Sequence, residues 1–337
     1  MLNNLERKYT IIIPIYRGMP TAKQAILSVI RQKYKNFSLI IIDNGGCEKL
    51  KEFIYELGDD RINLVSYPNA VSIEENWQRL HEINITEYMT VIGHDDELEE
   101  SFLSNIDTLI NQYPECVLYG TLGVFVDENR NLLSTIRHFK GCFKILDYIG
   151  ARFRGTIDVS GTGFVYRSED FRSLGGFPKF PNLCFADDAF WIKLLNTGSG
   201  IISDEIGYKV MLHSKSMSFA KPSIGMNLSS ALADFNQFYE REISDDIKRL
   251  WVKEKRRFMK RYLLQATILV SLDDLSRSAG SLQIREVYKR CRQVINRTDF
   301  MFYLKLSFVN CIIKIGGRLF SEKQIMSFIR YIRNAIK

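Results

Sequence analysis

The sequence predicts an α/β protein: a doubly wound, mostly parallel sheet flanked by helices, followed by an α-helical C-terminal region. Two observations carry that expectation. Short β-branched runs at "YTIIIPIY", "FSLIIIDN", "INLVSY", "EYMTVIGH" and "CVLYGTLGVFV" alternate with helix-period segments at "PTAKQAILSVIRQKY", "CEKLKEFIYELG", "SIEENWQRLHEI" and "EESFLSNIDTLINQY", and strand–helix alternation is the signature of that architecture. From about residue 229 the chain reads as helix to its end, with apolar residues at helical spacing and Lys and Arg crowding the other sides.

Each segment has its reason. Ile11 to Ile13 and Leu39 to Ile42 are apolar at consecutive positions, hence on both faces, which suits central parallel strands covered by helices. Ligands of such sheets bind at the carboxyl ends of the strands. Three of those ends stand out: Pro14-Ile15-Tyr16, Asp43-Asn44-Gly45-Gly46 and His94-Asp95-Asp96. Beyond residue 125 the pattern is less regular, with "VSGTGFVYRSEDFRSLGGFP", the helical "FADDAFWIKLLNTG" and a strand-like run ending at His213. In the tail, Trp251, Phe258, Tyr262 and Leu269 fall on one helix face, and Ile325, Phe328, Ile329, Ile332 and Ile336 on another. "YLLQATILVSL" is shorter than the roughly 20 residues of a membrane span, and "MFYLKLSFVNCIIKIGGRLF" carries Lys305, Lys314 and Arg318.

Composition narrows the class. Hydrophobic residues make up 46% and charged residues 25%, which excludes a disordered or low-complexity chain. Six widely spaced cysteines form no C-x-x-C pair. That argues against a zinc site or disulfide framework and for a reducing cytosol. No apolar run follows a basic start at the N-terminus, so no signal peptide is expected. The net charge of +7 hides a split: from Lys248 onward 21 Lys and Arg face 6 Asp and Glu, while the remainder holds 25 against 33. A basic region of this kind meets phosphate, nucleic acid or an anionic membrane; the alternative is a solvated helix face. No recognised nucleic-acid motif accompanies the charge, so no nucleic-acid partner is expected. The tail is expected to lie on an anionic membrane surface or to form a homo-oligomer.

The chemistry-bearing residues cluster at predicted strand ends. Asp43 and the Asp95-Asp96 pair follow two different strands, Asp187-Asp188 opens a helix and His213 closes a late strand. Carboxylates and an imidazole so placed suit a divalent cation, Mg²⁺ or Mn²⁺, which takes phosphate oxygens as further ligands. No Walker A sequence and no G-x-G-x-x-G follows the first strand, which disfavours P-loop NTPases and dehydrogenases. Each residue also has a plainer reading. Asp95 and Asp96 could cap a helix beginning near Glu99, and Asp187-Asp188 could cap "AFWIKLL". Asp43 to Gly46 could be only a turn, and His213 a satisfied structural histidine.

Six blocks in order give the first 220 residues a resemblance to family 2 glycosyltransferases of the GT-A fold. "YTIIIPIYRG" resembles that family's V-S-V-I-I-P-x-Y-N strand, and "AILSVIRQKYKNFSLIIIDNGG" its A-L-x-S-V-x-x-Q-x-Y-x-N-x-E-I-I-V-V-D-D-G-S block. "NWQRLHEINITEYMTVIGHDDEL" is similar to the block ending L-x-x-D-D-x-L, and "GTGFVYRSEDFRSLGGFP" to the block ending G-G-F. "FADDAFWIKLL" is similar to the E-D-x-x-L-W-L-R-L helix, and "YKVMLHSKSMSF" to the Y-R-x-H-x-x-S-x-S strand. The resemblance implies a Rossmann-like mixed sheet and a GT-A domain over residues 1–228, with a nucleotide-binding half at 1–125 and an acceptor and catalytic half at 126–228. A basic helical region at 229–337 would follow.

The resemblance also implies roles. Pro14 and Tyr16 would line the nucleobase pocket, and Asp43 would accept the imide N–H of uracil or thymine. Asn76 and Asp95 would serve the nucleotide, with Asp95 and His213 holding the metal. Asp96, Gly163 and Asp187 would stand beside the donor sugar or behind its ligands. Asp188, aligned with the second acid of E-D, would be the general base of an inverting transfer. The donor would be a nucleoside-diphosphate sugar, UDP-linked by preference. The acceptor would be a saccharide hydroxyl, carried on a polyprenyl diphosphate in surface polysaccharide assembly, at the inner face of the cytoplasmic membrane. Three departures stand out: Asn44 for the second Asp of D-D-G-S, Gly93 for the first Asp of D-x-D, and an Asp187-Asp188 pair for E-D. The alternatives are a degenerate scaffold subunit and a sugar-1-phosphate nucleotidyltransferase, though the glycine-rich opening loop of the latter is absent.

Overall fold

The computed structural model describes residues 7–15, 19–213, 224–241, 243–277, 306–311 and 313. Contacts divide the chain into two compact units, Met1–Lys179 with Ala186–His213, and Phe180–Phe185 with Ser214–Lys337.

The first unit runs β1 (Tyr9–Ile15), α1 (Met19–Ile30), β2 (Phe37–Asn44), α2 (Glu48–Leu57), β3 (Ile62–Tyr67), α3 (Ile73–Gln78), β4 (Tyr88–Val91), β5 (Glu97–Leu98), α4 (Phe102–Gln112) and β6 (Leu118–Val126). It continues with β7 (Leu132–Thr135), β8 (Gly141–Phe143), α5 (Ile145–Arg154), β9 (Phe164–Arg167), α6 (Ser168–Ser173), α7 (Ala186–Leu195) and β10 (Gly200–Met211). The strands form one sheet in the order β3-β2-β1-β4-β9-β6-β10-β5, with β7 on β6 and β8 on β10. Strands β3, β2, β1 and β4 pair in parallel, as do β6 and β10. Between these groups β9 runs antiparallel to both β4 and β6, so the sheet is mixed.

Both faces of the central strands are covered. Ile11, Ile13, Leu39 and Ile41 pack with Ala22, Ile26 and Val29 of α1 and with Phe102, Leu103 and Ile106 of α4. On the other face Ile12, Ile40 and Ile42 are equally buried. The consecutive apolar runs thus follow from a sheet with no solvated face at its centre.

Two elements differ from the sequence expectation. The helix expected over "SIEENWQRLHEI" ends at Gln78 and tightens into a 3₁₀ turn at Arg79–Glu82. The helix expected from Glu99 begins at Phe102, because Glu97 and Leu98 are drawn into a two-residue ladder against Lys209 and Tyr208.

In the second unit, α8 (Ile224–Arg241) is followed by α9 (Asp245–Arg277). Tyr239 and Trp251 stack with centroids 4.4 Å apart, and Phe235 packs against Phe185 and Phe258. Trp251 and Phe258 are buried as their spacing predicts, and Tyr262 is half-buried. Leu269's side chain and the face from Ile325 to Ile336 lie outside the described residues. No described helix is long and apolar enough to cross a membrane.

Candidate active site

The parallel strands β1, β2, β4 and β10 bring their carboxyl ends to one edge of the sheet, and the polar residues singled out from the sequence lie there. At the end of β2, Asp43 is buried and lies opposite Ser66 of β3. Its Oδ2 accepts from the Cys47 amide and the Ser66 hydroxyl, both at 2.8 Å. Its Oδ1 has no partner among the described residues. The carboxylate therefore keeps one acceptor atom for a ligand. Gly45 and Gly46 have φ of 131° and 66°, so the turn after Asp43 needs residues without a Cβ.

Asn44 faces the other way, as its place one residue along a strand requires. Its amide donates to the Val71 carbonyl and accepts from the Val71 amide, both at 2.9 Å. A carboxylate could make only the second of these bonds, which accounts for Asn where the family pattern has Asp. Asn44 Oδ1 also accepts from Arg79 Nη1 at 3.0 Å, as does Asn76 Oδ1 at 3.1 Å. The Arg79 guanidinium lies 3.6 Å over the Tyr67 ring. Asn76, expected at the nucleotide, is buried, and its Oδ1 accepts from Arg79. Pro14 is buried in β1 opposite Ile42. Tyr16 lies outside the described residues.

At the end of β4 the chain turns through Gly93 and His94 to the two carboxylates. Asp95 Oδ2 stands 2.9 Å from His213 Nε2, just past the end of β10. Asp96 points inward: Oδ2 accepts from the Thr162 hydroxyl and Oδ1 from the Met211 amide. Burial and the neighbouring Asp95 push the Asp96 carboxyl up to about 7. Asp96 thus ties the β4 turn to β10. Neither carboxylate caps α4, whose N-cap position is Ser101. A Cβ on Gly93 would fall 2.8 Å from Asp96 Oδ2 and 3.0 Å from Asp95 Oδ1, so the first Asp of D-x-D would have to displace these carboxylates here. Burial lowers His94 below the usual imidazole value.

Asp95 and His213 offer a carboxylate and an imidazole to one cation, a donor pair that suits Mn²⁺ or Mg²⁺ when phosphate oxygens complete the shell. No group of three or more His, Cys, Asp or Glu side chains converges among the described residues. Among the described residues, Asp95 and His213 are the pair placed to share a cation.

The third piece is the first turn of α7. Asp188 is 1% exposed. Its carboxylate accepts two bonds from Arg152 Nε at 2.9 Å, one from Arg152 Nη2 at 2.7 Å and one from the Tyr148 hydroxyl at 2.8 Å. Asp188, the expected base, is thus ion-paired and fully hydrogen-bonded in this structure. Asp187 is the other candidate for the base. Its Oδ1 accepts from the Asp188 amide at 2.8 Å, and burial and then Asp188's charge raise its carboxyl to about 7. The helix register agrees: with Trp191 and Lys193 on the Trp and Arg of E-D-x-x-L-W-L-R-L, the motif's Asp falls on Asp187.

Gly163, expected near the donor sugar, has φ of 97° and a Tyr208 ring atom 2.2 Å from where its Cβ would sit. It makes room for Tyr208, whose hydroxyl meets His138 Nε2 at 2.6 Å. Several supporting residues were not singled out from the sequence. Thr162 accepts from the Gly93 amide while donating to Asp96. Gln32 bonds Glu99 and Leu103 backbone atoms, and Ser28 Oγ accepts from the Leu98 amide, so α1 fixes the segment that follows Asp96. Ser28 and Gln32 are the Ser and Gln of "SVIRQ", the one signal that pointed to them.

The model of the glycosyl transferase family 2 matches residues 10–175. A glycosyltransferase of Haemophilus influenzae, described as uncharacterized, is 25% identical over 248 residues, covering 72% of this chain and 92% of that protein. The glycosyltransferase GlyA of Streptococcus pneumoniae is 24% identical over 118 residues, 34% of this chain and 17% of that protein. Among solved structures, S. aureus TarS 1–349 in complex with UDP-GlcNAc superposes with a TM-score of 0.58 at 13% identity, covering 92% of this chain and 88% of that one. The mannosyltransferase PcManGT of Pyrobaculum calidifontis, in complex with GDP-Man and Mn²⁺, gives 0.55 at 12% identity, covering 94% and 89%. At these identities the superpositions establish the GT-A fold. The sequence matches and the fold together show a glycosyl transferase family 2 domain at residues 10–175, and the protein is a glycosyltransferase.

Proposed function

We propose that this glycosyltransferase moves a sugar from a UDP-sugar to a saccharide hydroxyl with inversion at the anomeric carbon, and that Asp187 is its general base. The observation that carries the reading is the placement of Asp43, the Asp95–His213 pair and the Asp187 carboxylate in one unit, on residues the family pattern marks. Asp43 supports a uracil donor. With Oδ2 held by Cys47 and Ser66, only Oδ1 remains, which matches the single imide N–H of uracil; guanine presents two adjacent N–H groups and calls for both oxygens. That TarS was solved with UDP-GlcNAc accords with this, and GDP-Man in PcManGT marks the alternative.

Asp95 and His213 would hold a divalent cation against the donor diphosphate, where it would act as a Lewis acid on the leaving group. The remaining steps belong to the chain. The acceptor hydroxyl gives its proton to Asp187 as its oxygen bonds to the anomeric carbon, and the bond from that carbon to the diphosphate breaks on the opposite side. A base with a pKa of about 7 is matched to work near neutral pH. Asp188, held by Arg152 and Tyr148, fixes the first turn of α7 and hence the Asp187 carboxylate. The acceptor is read as a lipid-linked polysaccharide precursor, with the enzyme peripheral on the inner face of the cytoplasmic membrane; the basic composition after Lys248 supports it. A donor panel tests the reading: with Mn²⁺, UDP release from one UDP-sugar above all others is expected. Turnover of GDP-sugars alone would remove the uracil assignment.

A further inference from the structure

We infer that one face of α9 is a docking surface for anionic lipid headgroups. Along this helix Arg249, Lys253, Arg256 and Arg257 are exposed and Lys260 is half-buried. At 3.6 residues per turn these five cations fall within an arc of about 100° and along roughly 16 Å of helix. The opposite face is not available for insertion, because Ile247, Trp251, Phe258, Met259 and Leu263 are buried. The stripe is therefore a rigid row of charge, not an amphipathic segment awaiting a bilayer.

The acidic groups nearby lie at its margins. Asp245 pairs with Lys248, Asp246 with Arg249, and Glu240 of α8 with Lys255, while Glu254 is half-buried to one side. Lys253 and Arg257, in the middle of the stripe, have no acidic partner among the described residues. Val252, on the stripe's edge, is 75% exposed, and Phe308 of the same unit is 66% exposed. Cations with an exposed apolar residue at their border fit a headgroup layer, which takes charge at its surface and apolar side chains just beneath. Single-stranded nucleic acid calls instead for aromatic rings between the cations, and the stripe has none. The inference goes with the membrane reading above but stands on this face alone.

Co-sedimentation of the full chain with phosphatidylcholine vesicles, with and without phosphatidylglycerol, tests it. Binding is expected only with phosphatidylglycerol, and it should fall steeply as salt is raised. The combined change Lys253→Glu, Arg256→Glu, Arg257→Glu should weaken binding at least roughly tenfold, since each basic residue adds to attraction at an anionic surface. Because the three side chains are exposed, the variant should keep the wild-type melting temperature and the wild-type release of UDP from the donor. A Val252→Trp variant should show a blue-shifted emission with the anionic vesicles alone. Wild-type pelleting by the triple variant, equal binding to neutral vesicles, or binding of a single-stranded oligonucleotide in place of vesicles would each overturn the inference. Absence of turnover of UDP-sugars with vesicle binding intact would sink the proposed donor reading and leave this one standing.

Discussion

Asp95 Oδ2 and His213 Nε2 stand 2.9 Å apart although 118 residues separate them in sequence. The sheet makes that contact: β4 and β10 reach the same edge with parallel polarity, and Asp96 clamps one strand end to the other through the Met211 amide. A carboxylate and an imidazole held this way need little rearrangement to share a cation. Asp95→Ala and His213→Ala should each weaken Mn²⁺-dependent binding of the donor by more than about tenfold while leaving folding intact, as loss of a ligand does where few protein ligands hold the ion. Calorimetry with the UDP-sugar, in Mn²⁺ and then in EDTA, reads the effect. Wild-type affinity in both variants would take the metal away from this pair.

Asp187 and Asp188 should separate cleanly by what they break. Asp187→Asn should lower turnover by roughly 10²–10⁴, the range for a lost general base, with donor binding retained. Asp188→Ala leaves the Arg152 guanidinium buried without its partner, and breaking a buried pair from one side costs roughly 3–5 kcal/mol. It should therefore unfold at a markedly lower denaturant concentration. Initial rates and urea titrations of the two variants decide the matter. A stable, inactive Asp188→Asn beside an active Asp187→Asn would return the base to Asp188.

The pH dependence follows from the same carboxyl. In the folded protein burial, and then the charge of Asp188, push the Asp187 carboxyl up to about 7 from its ordinary 3.8. The base must be ionised, so turnover should climb from pH 5.5 and level off near pH 8, with an apparent pKa of about 7. Stability runs the other way. A raised carboxyl pKa means that the folded state holds its proton longer than the unfolded chain, so the contribution is complete below pH 3.8 and lost as pH rises through 7. Asp187→Asn removes the ionisation, and its melting temperature should gain on the wild type between pH 5 and pH 8. A flat difference across that window would mean that Asp187 is already ionised at pH 5.

Much of this was legible in the chain. The alternation of β-branched runs with helical periods marked the strands, and polar residues at their ends marked Asp43, Asp95 and His213. What the sequence hid were choices between neighbours. Asp187 and Asp188 look alike in a string, and only the Arg152 and Tyr148 contacts from α5 show which carboxylate is consumed by structure. Asn76 carries a family asparagine, yet Arg79, one helical turn on, takes its side chain. Gly163 reads as part of a ligand block, but its missing side chain serves the Tyr208 ring. Such assignments depend on partners far away in sequence, and local pattern does not report them.

Gly93 gives the sharpest test of how the turn at β4 works. The family pattern has an aspartate there, so Gly93→Asp would restore the motif in sequence. In this fold a Cβ at residue 93 would meet Asp96 Oδ2 at 2.8 Å, and Asp96 is held by Thr162 and Met211. The added side chain must displace a buried, bonded carboxylate and would set a third negative charge beside Asp95 and Asp96. Overpacking of this kind costs roughly 1–3 kcal/mol, and moving Asp96 should also loosen the Asp95–His213 contact. Gly93→Asp is thus expected to lower both the melting temperature and Mn²⁺-dependent donor affinity, with Gly93→Ala showing the same two effects more weakly. A Gly93→Asp variant that bound the donor more tightly than the wild type would show that the turn opens to accept a second metal-binding carboxylate, and the two-ligand site would have to be abandoned.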